Sequence, residues 1–173
     1  MTRTPDTHPD TPPATKPTTA STSGQATVHA TAIALPAGGV LLTGPSGSGK
    51  SSLACRLIAR HAARLVADDR VRLVAHENDL FAEAPTRLAG LIEVRGIGIL
   101  RLDYIARAHL NLAIELVPAE AVPRIAEPQY LDHAGRHLPL LRLHAFDSDI
   151  HAKIELALTH IANGGFREDG IYS

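Results

Sequence analysis

The chain has 173 residues, the size of one domain with tails. Its 17 basic and 18 acidic residues leave a net charge of −1, so overall charge draws it neither to nucleic acid nor to an anionic membrane. Hydrophobic residues make up 45% of it, yet Trp is absent and only three Phe and three Tyr occur, so a core must come from Ala, Val, Leu and Ile.

Thr2 to Gly24 is rich in Thr, Pro, Ser and Ala and holds no Leu, Ile, Val or aromatic residue. Too little apolar surface is available there to offset chain entropy, so residues 1–24 are expected to form a disordered tail. The segment lacks the apolar run of a signal peptide. Asp6, Asp10 and a scarcity of arginine do not suit a transit peptide. No stretch reaches the length of a membrane span. The single Cys55 has no internal disulfide partner; it reads as a buried small hydrophobe in a reducing, cytoplasmic compartment.

The ordered chain is expected from Gln25, with a strand over Val28–Leu35 and a turn at Pro36-Ala37-Gly38. An apolar β-type run, Gly39-Val40-Leu41-Leu42-Thr43, leads into Gly44-Pro45-Ser46-Gly47-Ser48-Gly49-Lys50-Ser51. This is a complete G-x-x-x-x-G-K-[ST] phosphate loop. Ser52–Arg60 follows, with Leu53, Leu57 and Ile58 on one helical face. Strand, glycine loop and helix are the context the motif needs. The glycines let the chain wrap closely around an anion. Successive N–H groups and the helix N-terminus then face phosphate oxygens. Lys50 adds a mobile charge, and the Ser51 hydroxyl suits Mg²⁺. The loop speaks for a nucleoside triphosphate and leaves the acceptor open.

Arg64-Leu65-Val66-Ala67 reads as a strand ending in Asp68-Asp69. Neighbours on a strand point to opposite sides, so at most one of these acids is expected to face a transferred phosphoryl group. The other is left to bond locally or to reach Mg²⁺ through water. Val71–Ala75, His76–Asp79 and Leu80–Ala82 read as a hairpin. Within Leu91–Leu100, an extended chain puts Glu93 and Arg95 on one face and Ile92 and Val94 on the other. Spacing alone suits a Mg²⁺–phosphate site or an ordinary exposed salt bridge equally. His109–Leu116 alternates as a half-buried strand. Leu138–Leu143 reads as a late strand, put at a sheet edge by Pro139. Asp147 or Ser148 is expected to cap a helix to about Ala162, with Ile150, Ile154, Leu158 and Ile161 on its apolar face and Gly164 ending it. Residues 166–173 read as a flexible tail. The ten histidines are scattered, and Gly135 and Pro139 break any helix that would pair His133 with His137 on a metal.

His29, the phosphate loop, Val66-Ala67-Asp68-Asp69 and Ile92-Glu93-Val94-Arg95-Gly96-Ile97-Gly98-Ile99 follow one another at suitable intervals. Together they resemble the catalytic domain of the HPr kinase/phosphorylase family, over about residues 25–163 and most strongly from Gly39 to Ile99. The Glu-x-Arg-Gly-x-Gly segment after an Asp-Asp strand is more specific than the loop alone. The likeness is to short forms with the catalytic domain only, and it makes residues 25–165 the catalytic unit.

The resemblance implies an α/β fold, a phosphate-loop domain with a mixed sheet and flanking helices, as in phosphoenolpyruvate carboxykinases. It implies an ATP- and Mg²⁺-dependent kinase that phosphorylates a serine of an HPr-like phosphocarrier protein, reverses this by phosphorolysis, regulates carbon and nitrogen metabolism and assembles as a hexamer. It assigns Gly44, Pro45, Ser46, Gly47, Ser48, Gly49, Lys50 and Ser51 to ATP. Ser51 and Glu93 go to Mg²⁺, with Asp68 beside them. Asp69 becomes the acceptor of the serine proton. Arg95 lies in the segment Ile92–Arg101 used in both directions, His29 stands near the phosphate site, and Arg124 is the counterpart of a later family arginine. Departures are Pro45 where an acid is common, Ser52 where Glu is common and Ala30 where Gly is common; beyond Leu116 the match is general. Two other readings stay open: a phosphate-loop enzyme with a different substrate, and a non-catalytic nucleotide-binding regulator.

Overall fold

A computed structural model of the chain describes residues 25–164, so the tails read at 1–24 and 166–173 lie outside the described residues. The elements are β1 (Gln25–His29), β2 (Thr31–Leu35), β3 (Gly38–Thr43), α1 (Lys50–Arg60), β4 (Arg64–Ala67), β5 (Arg70–His76), β6 (Asp79–Glu83), β7 (Leu91–Val94), β8 (Gly98–Arg101), β9 (Arg107–Leu116), β10 (Tyr130–His133), β11 (Arg136–Leu143) and α2 (Ile150–Ala162). The result is a mixed α/β fold. One sheet runs in the order β1-β5-β6-β9-β3-β2-β4, with β11 also on β9 and β10 on β11; β7 and β8 form a separate hairpin.

Strand direction decides where chemistry can gather. β3 and β11 both run parallel to β9, while β2 is antiparallel to both β3 and β4. The C-terminal ends of β11, β9, β3 and β4 therefore share one end of the sheet. Ligands of open α/β sheets bind outside such ends.

The core has two layers. Both helices pack into one, where Leu53 and Leu57 of α1 and Ile154 and Leu158 of α2 meet Ile33, Leu42, Ile114 and Ile92. The other contains no residue of either helix, with Leu41, Val66, Val71, Leu73 and Leu80 closing on one another as the sheet curls. β3 is buried on both faces, Val40 and Leu42 in the first layer and Leu41 in the second, which is why it reads as a continuous apolar run.

Four sequence readings need correction. The strand expected over Val28–Leu35 is two strands: β1 pairs β5, β2 pairs β3 and β4, and the chain changes partners at Ala30. β9 is not half-buried with clean alternation. Its register against β3 slips between Gly39 and Val40, leaving Asn111 as the extra residue, so Leu110 and Leu112 enter opposite core layers. β11 is not an edge strand, because it lies between β9 and β10. Leu140 points its N–H toward Gln129 at 2.8 Å, so the missing N–H of Pro139 falls on the β9 side, where pairing starts only at Leu140. Finally, the N-cap position of α2 is Asp149, not Asp147 or Ser148, and its side chain makes no capping hydrogen bond; Asp147 instead accepts the Asp149 N–H at 2.8 Å. The remaining expected elements form close to their predicted bounds, and Cys55 is half-buried against the first layer. Among the described residues no helix is long and apolar enough to cross a membrane.

Candidate active site

The glycine-rich loop leaves β3 at the shared strand end and enters α1 through Gly49, which holds φ at 98°. A Cβ on Gly49 would stand 2.7 Å from the Cβ of Ala145, so both backbone and space demand glycine there. Lys50 opens α1 and is only 7% exposed. Its ammonium donates to the carbonyls of Gly44 at 2.9 Å and Pro45 at 3.0 Å. Burial lowers the Lys50 pKa, and the charges of Asp68 and Asp69 work against that shift. The lysine thus spans the loop it follows.

Because β4 runs parallel to β3, its end delivers Asp68 beside the first turn of α1. The buried Asp68 carboxylate accepts the Thr31 hydroxyl at 2.6 Å and the Ser51 hydroxyl at 3.0 and 3.1 Å on its two oxygens, and the Glu93 backbone N–H at 3.3 Å. Glycine loop, β2 and the β7–β8 hairpin are thereby tied to one carboxylate.

Asp69 follows with φ at 61°, and the Arg70 N–H closes on the Asp68 carbonyl at 2.7 Å. This two-residue closure is a γ-turn, a strained form that persists where surrounding structure enforces it. β4 has already ended at Ala67, so strand alternation does not separate the two acids. Both line the same cleft. Asp69 is largely exposed, and its Oδ1 lies 3.3 Å from Nε2 of His29. The pairing of β1 with β5, His29 opposite Arg70, puts the histidine there.

The cleft has a volume of about 350 Å³. It brings together His29, Asp68 and Asp69 from the sheet, Ser46, Gly47, Gly49, Lys50 and Ser51 from the loop and α1, and Glu93 and Arg95 from the hairpin. Gly44 and Pro45 serve it through the carbonyls that hold Lys50, and Ser48 through its N–H to the Pro45 carbonyl at 3.2 Å. Arg124 is not drawn in: it lies exposed in the segment after the 3-10 turn Ala119–Ala121 and does not line the cleft.

Three further residues belong to the site. Ser52 and Phe146 line it, and Thr31 anchors Asp68 from behind. Thr31 had a visible signal as the one polar residue opening an otherwise apolar strand, Thr31-Ala32-Ile33-Ala34-Leu35. Phe146 had none beyond its rarity, because only the parallel placement of β11 carries it to this end of the sheet.

A family model described as the HPr Serine kinase C-terminal domain matches residues 20–122. The HPr kinase/phosphorylase of Peptoclostridium acidaminophilum is 43% identical over 113 residues, which are 63% of this chain and 36% of that protein. That of Lactobacillus acidophilus is 39% identical over 99 residues, 53% of this chain and 30% of that protein. The matches thus span about a third of the length of these curated relatives. Among solved structures, the HPr(Ser) kinase/phosphatase from Coxiella burnetii superposes with a TM-score of 0.65 at 29% identity, covering 80% of this chain and 90% of that one.

Proposed function

This chain belongs to the HPr serine kinase C-terminal domain family, and we propose that it is an ATP-dependent serine kinase of an HPr-like phosphocarrier protein. One observation carries the proposal. Lys50 and Ser51, the residues that on this reading hold a triphosphate, share a cleft with two acids of different character, a buried Asp68 already engaged by three donors and an exposed Asp69 beside His29. A phosphate-binding group and an exposed base are the two halves of a phosphoryl-transfer site.

The glycine loop acts as a phosphate loop, its N–H groups and the α1 N-terminus surrounding the β- and γ-phosphates of ATP. Lys50 sets its charge against the same oxygens. The oxygens of Ser51, Asp68 and Glu93 fit a Mg²⁺ ion, which takes one or two carboxylates and completes its shell with water and phosphate. When bound, that ion would neutralise charge on the phosphates. Asp69 takes the proton of the seryl hydroxyl as the serine oxygen attacks the γ-phosphorus, the bond from that phosphorus to the β-phosphate oxygen breaks and ADP leaves, and His29 orients the Asp69 carboxylate. Arg95, at the cleft wall, meets charge on the moving phosphoryl group. In the phosphorylase reaction an oxygen of inorganic phosphate attacks the phosphoserine phosphorus, the serine O–P bond breaks as Asp69 returns a proton to the serine oxygen, and pyrophosphate leaves.

On this reading residues 25–165 form the catalytic unit, with a phosphate loop and sheet of the phosphoenolpyruvate carboxykinase kind. The chain works in the cytoplasm as a hexamer, in control of carbon and nitrogen metabolism, with Arg124 as the counterpart of the later family arginine. The test is to incubate the chain with ATP, Mg²⁺ and the HPr-like proteins of its own genome and to locate phosphate by mass spectrometry. Phosphoserine on a carrier, removed again by inorganic phosphate, is expected. Transfer to none of them sinks the proposal.

A further inference from the structure

We propose that Phe146 is the platform on which the base of the bound nucleotide stacks. This rests on the nucleotide reading of the cleft and adds the part of the ligand that the phosphate loop does not touch.

The orientation of the nucleotide follows from the sheet. β3 carries the loop, and the strands on its two sides deliver different chemistry to the same end. Through β2, β4 brings Asp68 and Asp69. Through β9, β11 brings the segment after Leu143, and with it Phe146. The terminal phosphate must lie at the acids and Ser51, so the nucleoside end leaves the loop on the opposite flank. Phe146 stands on that flank. It lines the cleft, and its ring edge lies against Gly49, where an added Cβ would approach it to 3.3 Å.

The ring is exposed yet held. It is 59% exposed, whereas the residue before it, Ala145, is fully buried. Arg56 of α1 donates to the Ala145 carbonyl, and its guanidinium carbon lies 5.6 Å from the Phe146 ring centre. His144 bonds the Val117 carbonyl through Nδ1 at 3.0 Å. A phenyl ring fixed by its neighbours and open to a polar cleft is pre-organised for a flat aromatic ligand, with little ordering left to do on binding. Stacking is tolerant of base identity because every base has a π-face, so the platform favours nucleotides over bare polyphosphates without selecting one base. Arg56 is a positioning residue in this scheme: it acts on the ring and its loop and does not touch the ligand.

The experiment compares two ligands that share phosphates and differ in the base. AMP-PNP and tripolyphosphate, each with Mg²⁺, are titrated calorimetrically into the wild-type chain, Phe146→Leu and Phe146→Tyr. Leu keeps an apolar side chain on the loop, and Tyr keeps the ring. AMP-PNP affinity is expected to fall by at least about fivefold in Phe146→Leu and to stay within about twofold of wild type in Phe146→Tyr, the scale of one stacked base. Tripolyphosphate affinity is expected to be unchanged in both. Equal losses for the two ligands, or no loss of AMP-PNP affinity in Phe146→Leu, overturn the stacking role while leaving the phosphate loop in place. A wild-type chain that binds neither ligand overturns the nucleotide reading and the stacking with it.

Discussion

The hydroxyl of Thr31 donates to Oδ1 of Asp68 at 2.6 Å, and both residues are buried, Thr31 completely. Thr31→Val keeps the shape and removes the donor. The carboxylate then keeps Ser51 and the Glu93 N–H but loses its shortest bond. A hydrogen bond to a buried charged group contributes about 1.5–3 kcal/mol, so unfolding in urea should show a loss of that size. Thr31→Ser should recover most of it. A Thr31→Val chain as stable as wild type removes the bond from the account of what holds Asp68.

Local chemistry was legible in the sequence and long-range placement was not. The glycine-rich loop, the Asp68-Asp69 pair and Glu93 with Arg95 each announce themselves by residue type and spacing, and they meet in one cleft. Thr31 is different, since its role exists only because β2 lies between β3 and β4. Strand alternation predicted that at most one of Asp68 and Asp69 faces a transferred phosphoryl group while the other bonds locally, and Asp68 is the one that bonds locally, to Thr31 and Ser51. The γ-turn that brings the two acids together depends on β4 stopping at Ala67, which no periodicity in four residues can reveal. β10 went unseen because Tyr130–His133 has no apolar run, and it is held mainly by pairing with β11. Pro139 pointed to an edge because sequence cannot tell which side of a strand a missing N–H faces.

Asp69→Asn tests the proposed base without disturbing its setting. Asn tolerates the left-handed conformation that Asp69 adopts at φ 61°, so the γ-turn should survive. The amide cannot accept the serine proton. Turnover should fall by about 10²–10⁴-fold, the usual scale of a lost general base, while calorimetric affinity for AMP-PNP changes little. Retained turnover takes the proton-transfer role from Asp69. A phenotype in cells identical to wild type would instead favour a nucleotide-binding regulator, which needs no proton transfer.

Two glycines of the loop should respond unequally to the same substitution. Gly47 and Gly49 both hold positive φ, 82° and 98°. A Cβ on Gly47 meets nothing within 4 Å, whereas one on Gly49 meets the Cβ of Ala145 at 2.7 Å. Gly47→Ala therefore bears only the left-handed penalty, about 1–2 kcal/mol. Gly49→Ala adds overpacking against the segment that carries Phe146, about 1–3 kcal/mol more. Thermal unfolding of the two variants should rank them in that order, and equal destabilisation would show that Ala145 does not press on the loop.

The same segment gives a dependence on pH whose sign is fixed. The ammonium of Lys153, and then the Asp149 N–H, bond the Asp147 side chain and hold its carboxyl below the ordinary carboxylate value of about 3.9. Folding thus favours the ionised form. The stability this contributes is complete above about pH 3.9 and disappears as pH falls through the lower folded value. Asp147→Asn removes the charge at every pH. At pH 7 the variant should melt below wild type by about 1–4 °C, the range of a partly exposed ion pair in a domain of this size. The gap should close as the pH is lowered past about 3.9, because wild type then loses the same charge. High salt should narrow it at pH 7 as well, by screening the pair with Lys153. A gap that persists unchanged into acid would mean that the Asp147→Asn substitution harms the turn before α2 for some reason other than the charge it shares with Lys153.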